Sequence, residues 1–260
     1  MKRSQHFAAI AAIALSALTV SASFSEADAR RNRGGQGSVA REATVTGQNG
    51  RTRTTNQERS WNRREGTATR DRTTTFNDGS QRTVESERLR TGPGEYSASR
   101  EVTTRNGETR IQTGDFTVDR TENGRTINGD INTTNHGQID YTRDISRDGG
   151  VRSVNSSATF EDGTSINRSS QGSCANGVCN SNGAVTNRQG QTTTWEQTRA
   201  RTDTGATLSR DTTFADGSTR SVDAERVGNG DGTGTVSRTI TGRDGETRAQ
   251  TGTYEVTRTP

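Results

Sequence analysis

Cys174 and Cys179 are the two cysteines of this chain, and they bracket Ala175-Asn176-Gly177-Val178. Asn-Gly is a strong signal for a two-residue hairpin turn, because both central positions take positive φ. With Asn176-Gly177 as the turn, Ala175 pairs with Val178 and Cys174 faces Cys179 in the next pair. Directly facing residues of that kind have Cα atoms about 4.5 Å apart, within reach of a disulfide. The spacing therefore predicts a disulfide-stapled hairpin. A redox pair would need a tuned thiolate, and a metal site would need further ligands, which this chain scarcely has.

The other groups that could do chemistry are sparse. Beyond His6 near the start, His136 is the only histidine, set at Asn135-His136-Gly137 where a turn is expected. No Gly-x-Ser-x-Gly elbow accompanies it. Paired carboxylates could serve glycoside hydrolysis, but too few aromatics are present to wall a cleft. Gly228-Asn229-Gly230-Asp231-Gly232 resembles a calcium-binding Gly/Asp stretch, yet it stands alone and reads as a hairpin loop. Trp61 and Trp195 could stack on sugars or cover a strand pair. Thr67/Thr69, Thr73/Thr75 and Thr192/Thr194 could form ranks on one strand face, as an ice-binding surface would require. Arg and Glu interrupt those ranks. The chain is therefore expected to be non-enzymatic, with no metal and no cofactor.

Charge is abundant and mixed. Lys and Arg total 35 against 31 Asp and Glu, for a net charge of +4. The only lysine is Lys2, so every other basic residue is Arg. Acids and Arg alternate closely, as in Glu85-Ser86-Glu87-Arg88, Arg143-Asp144 and Arg210-Asp211. That mixture predicts Arg–carboxylate pairing across neighbouring strands, with a basic surface for anionic polymers as the alternative. A nucleic-acid surface would combine basic and aromatic residues in a stripe, and at 4% aromatic this chain has none.

What must position these residues is a regular beat. Gly-marked turns recur about every 14 residues, at Gly50, Gly66, Gly79, Gly92/Gly94, Gly107, Gly124, Gly137, Gly149, Gly163, Gly177, Gly190, Gly205, Gly217, Gly230/Gly232 and Gly245. Most follow Asn or Asp, so the beat reads as a succession of hairpins. Three of the turns share a Phe-x-Asp-Gly motif: Phe76, Asp78 and Gly79; Phe160, Asp162 and Gly163; Phe214, Asp216 and Gly217. Read as three-residue loops with Gly in a G1 bulge, they place Phe76 and Val84 on one face, and likewise Phe214 and Val222. The turns at Gly107 and Gly245 read as two-residue hairpins, with Val102 opposite Ile111 and Ile240 opposite Ala249. Ile139, Tyr141 and Ile145 share a parity. They predict a thin apolar stripe on one face, with Thr, Arg, Glu and Asp on the other.

Residues 1–29 read as a secretory signal: Lys2 and Arg3, an apolar run from Ala8 to Val20, and an Ala27-Asp28-Ala29 cleavage site. Residues 30–42 read as a flexible N-terminal segment. Asn106-Gly107-Glu108-Thr109-Arg110 recurs as Asp244-Gly245-Glu246-Thr247-Arg248, at a spacing of about 138. Residues 43–121 and 183–260 are thus two β-repeat copies, with a degenerate repeat between them at 122–182.

The fold expected is an all-β, elongated antiparallel meander of about 14 short strands with two free edges, a β-solenoid being the alternative. A membrane barrel is not expected, because Arg51 to Arg59 offers no apolar face for lipid. The function expected is a structural, adhesive or self-assembling role at the cell envelope, in the periplasm or on the surface. Partners would be other copies of the chain through sheet edges, without nucleic acid or a membrane span. The alternative is an Arg-mediated binding module for anionic polysaccharide or lipopolysaccharide.

Overall fold

The computed structural model describes residues 35–47 and 49–259. The expected signal sequence at 1–29 lies outside them. The strands are β1 (Gln36–Gly47), β2 (Thr52–Asn62), β3 (Thr67–Phe76), β4 (Gln81–Gly92), β5 (Glu95–Thr103), β6 (Thr109–Thr121), β7 (Gly124–Thr133), β8 (Gly137–Asp148), β9 (Val151–Phe160), β10 (Ser165–Ala175), β11 (Val178–Thr186), β12 (Thr192–Arg201), β13 (Gly205–Thr213), β14 (Thr219–Gly228), β15 (Thr233–Thr241) and β16 (Thr247–Thr259). Each pairs antiparallel with the next, and β1 pairs with β16 from Ser38↔Thr259 to Gly47↔Gln250, closing a barrel.

Closure overturns the open meander and the solenoid alternative. It also removes the free edges on which strand-to-strand self-association depends. The expectation failed because it tied barrel closure to a lipid-facing wall, and the two are separate: closure satisfies backbone hydrogen bonds whatever surrounds the wall. The strand number follows from the beat itself, since the marked turns plus one give sixteen. Residues 36–42, expected in the flexible N-terminal segment, are part of β1. A barrel of this size, with strands tilted as barrels require, is about 30 Å across and leaves an aqueous lumen.

Turn chemistry sets the registers. At Phe76-Asn77-Asp78-Gly79-Ser80, the Phe76 N–H donates to the Ser80 carbonyl and the Gly79 N–H to the Phe76 carbonyl, with Gly79 at φ +77°. Thr74 therefore faces Arg82 and Arg72 faces Val84. The turn at Gly107 has the same form, the Thr104 N–H donating to the Glu108 carbonyl. Val102 consequently faces Arg110, and Ile240 faces Arg248. This corrects the two-residue reading of the Gly107 and Gly245 turns. Asn176 (φ +50°) and Gly177 (φ +79°) form a true two-residue turn, with Ala175↔Val178 and Cys174↔Cys179 as its first pairs.

The apolar residues gather on one stretch of wall. Phe116, Ile131, Ile139, Tyr141, Ala158, Phe160 and Ile166 form a buried cluster across β6–β10. Tyr96 stacks on Phe116 with ring centroids 4.9 Å apart, and Tyr141 meets Phe116 edge-on at 6.3 Å. The Phe116 ring lies against Gly129, its directly opposed partner, where any β-carbon would collide with it.

Candidate anion-binding lumen

Residues directly opposed on neighbouring strands share a face. Following the registers from buried Ile139 through Phe160 and Ile131 carries one face around the whole barrel and back to itself. Every strand arginine from Arg41 to Arg248 lies on that face, together with the apolar cluster. Every strand carboxylate lies on the other, among them Glu58, Asp71, Glu85 and Glu101 in one row across β2–β5 and Asp115, Asp130 and Asp140 in another across β6–β8. The expected cross-strand Arg–carboxylate pairs are thus impossible within the wall. Arg143 and Asp144 are adjacent in sequence and so point to opposite sides. The expected division, apolar on one face and Arg on the other, is corrected in the same way.

The Arg face is the concave one. The buried side chains, Phe116, Ile139, Phe160, Thr74 and Arg100 among them, all lie on it. Arg226 in β14 reaches over the Tyr254 ring in β16, two strands away, as side chains converging inward do. The lumen is therefore lined by guanidinium groups and apolar side chains, with no strand carboxylate facing it among the described residues. The outer wall is Thr, Ser, Asn, Asp and Glu. Its exposed large apolar residues, Leu89, Ile111, Val151 and Val178, stand singly near strand ends.

Within the lumen the guanidiniums crowd one another. Arg59 in β2 and Arg70 in β3 are directly opposed. Burial, and then the charges of Arg70 and Arg41, hold the Arg59 guanidinium below the usual arginine range. Arg72 is lowered by burial and by Arg70, Arg53 and Arg82. Arg100, 9% exposed, is pushed down to about 10 by burial and by Arg82 and Arg70. The Nε atoms of Arg59, Arg72, Arg143, Arg210 and Arg238 are buried and make no hydrogen bond. Arg70 Nη2 donates to Gln57 Oε1 at 2.9 Å. A second crowd, Arg120, Arg125, Arg147 and Arg152, lines one mouth, with Arg120↔Arg125 and Arg147↔Arg152 directly opposed.

Aromatic rings support some of these cations. Arg88 lies 3.8 Å from the Tyr96 ring centre, Arg226 3.9 Å from Tyr254 and Arg210 5.0 Å from Trp195. Trp61 and Trp195 both face the lumen, each over a glycine of the neighbouring strand: Gly37 under Trp61 and Gly183 under Trp195. The Thr ranks, by contrast, lie on the outer wall, where Asp71 separates Thr69 from Thr73.

The three Phe-x-Asp-Gly turns sit at one rim, and each is clamped by an arginine from the next turn on that rim. Asp78 Oδ1 accepts the backbone N–H and hydroxyl of Ser80, while Oδ2 accepts Arg105 Nη2 at 2.5 Å. The Arg105 guanidinium lies 4.2 Å from the Phe76 ring centre. Arg188 engages Asp162 and stacks on Phe160, and Arg243 engages Asp216 and stacks on Phe214. Nothing in the motif's own five residues announces the arginine, which lies 26 or 27 residues further on. At this rim a groove of roughly 1000 Å³ opens beside Arg51, Arg53, Arg105 and Arg248.

The remaining sites are structural in form. Cys174 and Cys179 are disulfide-bonded, with Cα atoms 4.0 Å apart. Asp231 Oδ1 accepts the N–H and hydroxyl of Thr233, capping a hairpin loop. His136 packs edge-on against Phe160 at 5.8 Å. No cluster of three metal-binding side chains occurs among the described residues. No helix there is long and apolar enough to cross a membrane, which says nothing of barrels.

No family model matches this chain, and no curated protein does. Solved structures do. A triple mutant of the Rhodopseudomonas blastica porin superposes with a TM-score of 0.58 at 7% identity, covering 85% of this chain and 99% of the porin. A second mutant of that porin gives the same values. A structure described as asymmetric conductivity of engineered proteins gives a TM-score of 0.57 at 7% identity. At that identity the likeness is one of architecture: this chain folds as a porin-like sixteen-stranded antiparallel barrel.

Proposed function

We propose that this chain is a non-enzymatic barrel of the cell envelope that holds anionic chains in its lumen. The observation that carries the reading is the complete sorting of strand charges, Arg inward and carboxylate outward. A lumen of one sign within a low-dielectric wall focuses its field and draws in counter-ions of the other. Guanidinium adds a planar fork that matches carboxylate and phosphate oxygens. The reading of residues 1–29 as a secretory signal and the porin-like architecture both support an envelope setting.

The outer wall argues for a barrel standing in water. A porin's outer band is apolar with aromatic girdles, whereas carboxylate rows such as Glu58–Asp71–Glu85–Glu101, across β2–β5, lie on this one. An aspartate at the centre of a spanning segment costs roughly 2.5–3.5 kcal/mol, and the wall carries many.

Two measurements test this. The refolded or exported protein is applied to an immobilised acidic polysaccharide at low ionic strength. Retention with a steep loss on adding salt is expected, and passage without retention at low salt would refute the reading. Flotation with phospholipid vesicles is expected to leave the protein in the dense fraction. Stable co-flotation would favour a lipid-inserted channel instead.

A further inference from the structure

Resting on that reading, we propose that the β2–β5 wall of the lumen is a defined site for a phosphoryl-dense chain, gripped by Arg59, Arg70, Arg72, Arg82 and Arg100. Three observations place it there. Arg59 and Arg70 are directly opposed, at a position where like charges repel. Ser86 and then Arg100 continue the same row across β4 and β5. Arg72 and Arg82 flank that row on the same face.

The wall is also desolvated. The Nε atoms of Arg59 and Arg72 are buried without a hydrogen bond, each a donor aimed at no protein acceptor. Leaving such donors unmade costs free energy that an anion of the right geometry recovers. Within the crowd, Arg70 Nη2 donates to Gln57 Oε1.

The arrangement selects among anions. Guanidiniums on successive strands repeat at about 4.8 Å. Neutralising them needs more than one charge and several acceptor oxygens per strand spacing. Each internal phosphate of a linear chain carries one charge and two non-bridging oxygens, a terminal one three, and successive phosphates stand closer together than successive strands. A linear phosphate chain meets this demand, and its slim form enters a lumen that a bilayer surface does not.

The test is calorimetric titration of the full-length exported protein with sodium tripolyphosphate, with citrate as the tricarboxylate comparison, at physiological ionic strength. Tripolyphosphate is expected to bind about tenfold or more tightly than citrate. The R59Q/R70Q double variant is expected to lose about tenfold or more in tripolyphosphate affinity. The R168Q/R199Q variant, on the far wall in β10 and β12, removes the same charge from the lumen and is expected to lose less, about threefold. The Arg70→Lys variant keeps the charge and loses the fork, so an intermediate affinity is expected. Should R59Q/R70Q fail to fold by circular dichroism, Arg70→Lys decides the matter alone.

Equal losses in both double variants, or equal binding of citrate, would overturn the site while leaving a general anion-binding lumen standing. Absence of binding to every anion would overturn both. Tripolyphosphate arms are paired with vesicles of phosphatidylglycerol. Binding to vesicles in place of tripolyphosphate would overturn the soluble-chain assignment.

Discussion

Arg143 and Asp144 are neighbours in β8, yet their side chains stand on opposite sides of the barrel wall, the first toward the lumen and the second toward solvent. The same holds for Arg70 and Asp71, and for Arg210 and Asp211. A strand turns successive residues to opposite faces, so each dipeptide contributes one charge to each side. Over the closed sheet, this sorting makes a barrel charged positively within and negatively without.

The crowding of lumenal arginines is expected to lower stability in the free protein. Arg70→Glu places a carboxylate directly opposite Arg59. The exchange of a like pair for an opposite one is expected to stabilise by about 0.2–1 kcal/mol, while weakening retention on an anionic matrix. Urea denaturation at low salt, run beside the retention assay, checks both. A gain in retention with the added carboxylate would contradict the lumenal reading.

Two tryptophans lie over glycines because only glycine leaves them room. A β-carbon at Gly183 would sit 2.7 Å from the Trp195 ring, and one at Gly37 would sit 2.6 Å from the Trp61 ring. Gly183→Ala is expected to cost about 1–3 kcal/mol through overpacking, with a shift in Trp fluorescence. Gly190→Ala, at a rim turn with open space but φ +75°, should leave the Trp signal unchanged.

The rim clamps carry a pH signature. Hydrogen bonds from Ser80, together with the Arg105 charge, hold the Asp78 carboxyl below the usual carboxylate range. Thr164 with Arg188 does the same for Asp162, and Ser218 with Arg243 for Asp216. A folded pKa below the unfolded value, about 3.9, gives stability that is present above that value and lost as pH falls through the lower folded one. Carboxyl NMR titration should show these three aspartates protonating below the usual carboxylate range. Protonation within that range would count against the clamps.

The Cys174–Cys179 bond closes a short loop at the rim opposite the clamps. Replacing both cysteines by serine is expected to cost about 2 kcal/mol, read from the thermal or urea midpoint. Hydrogen exchange should rise first at Ala175 and Val178. Faster exchange throughout the barrel would instead mean that the hairpin holds more than itself.

Much of the local structure was open to reading in the residues. The Phe-x-Asp-Gly turns, the registers they impose and the facing cysteines follow from positive-φ positions and from the apolar parity of Phe76, Val84, Ile139 and Tyr141. The sorting of charge was equally present in dipeptides such as Arg143-Asp144. It was missed because mixed charge suggests pairing, although adjacent strand residues cannot share a face. The Gly107 turn was misread by one residue because Asn-Gly fits two loop lengths, and the backbone bond from Thr104 to Glu108 decides between them.

The turn positions, and the registers at the Phe-x-Asp-Gly and Asn176-Gly177 turns, are legible in the residues, since each depends on φ preferences and on a period of two within a few residues. That β1 meets β16, that arginine and apolar residues share the concave face, and that Arg105, Arg188 and Arg243 lock the rim across neighbouring turns emerge with the closed barrel. Closure depends on twist and stagger summed over every strand. No local pattern carries that sum, and until the sheet closes neither of its faces is an interior.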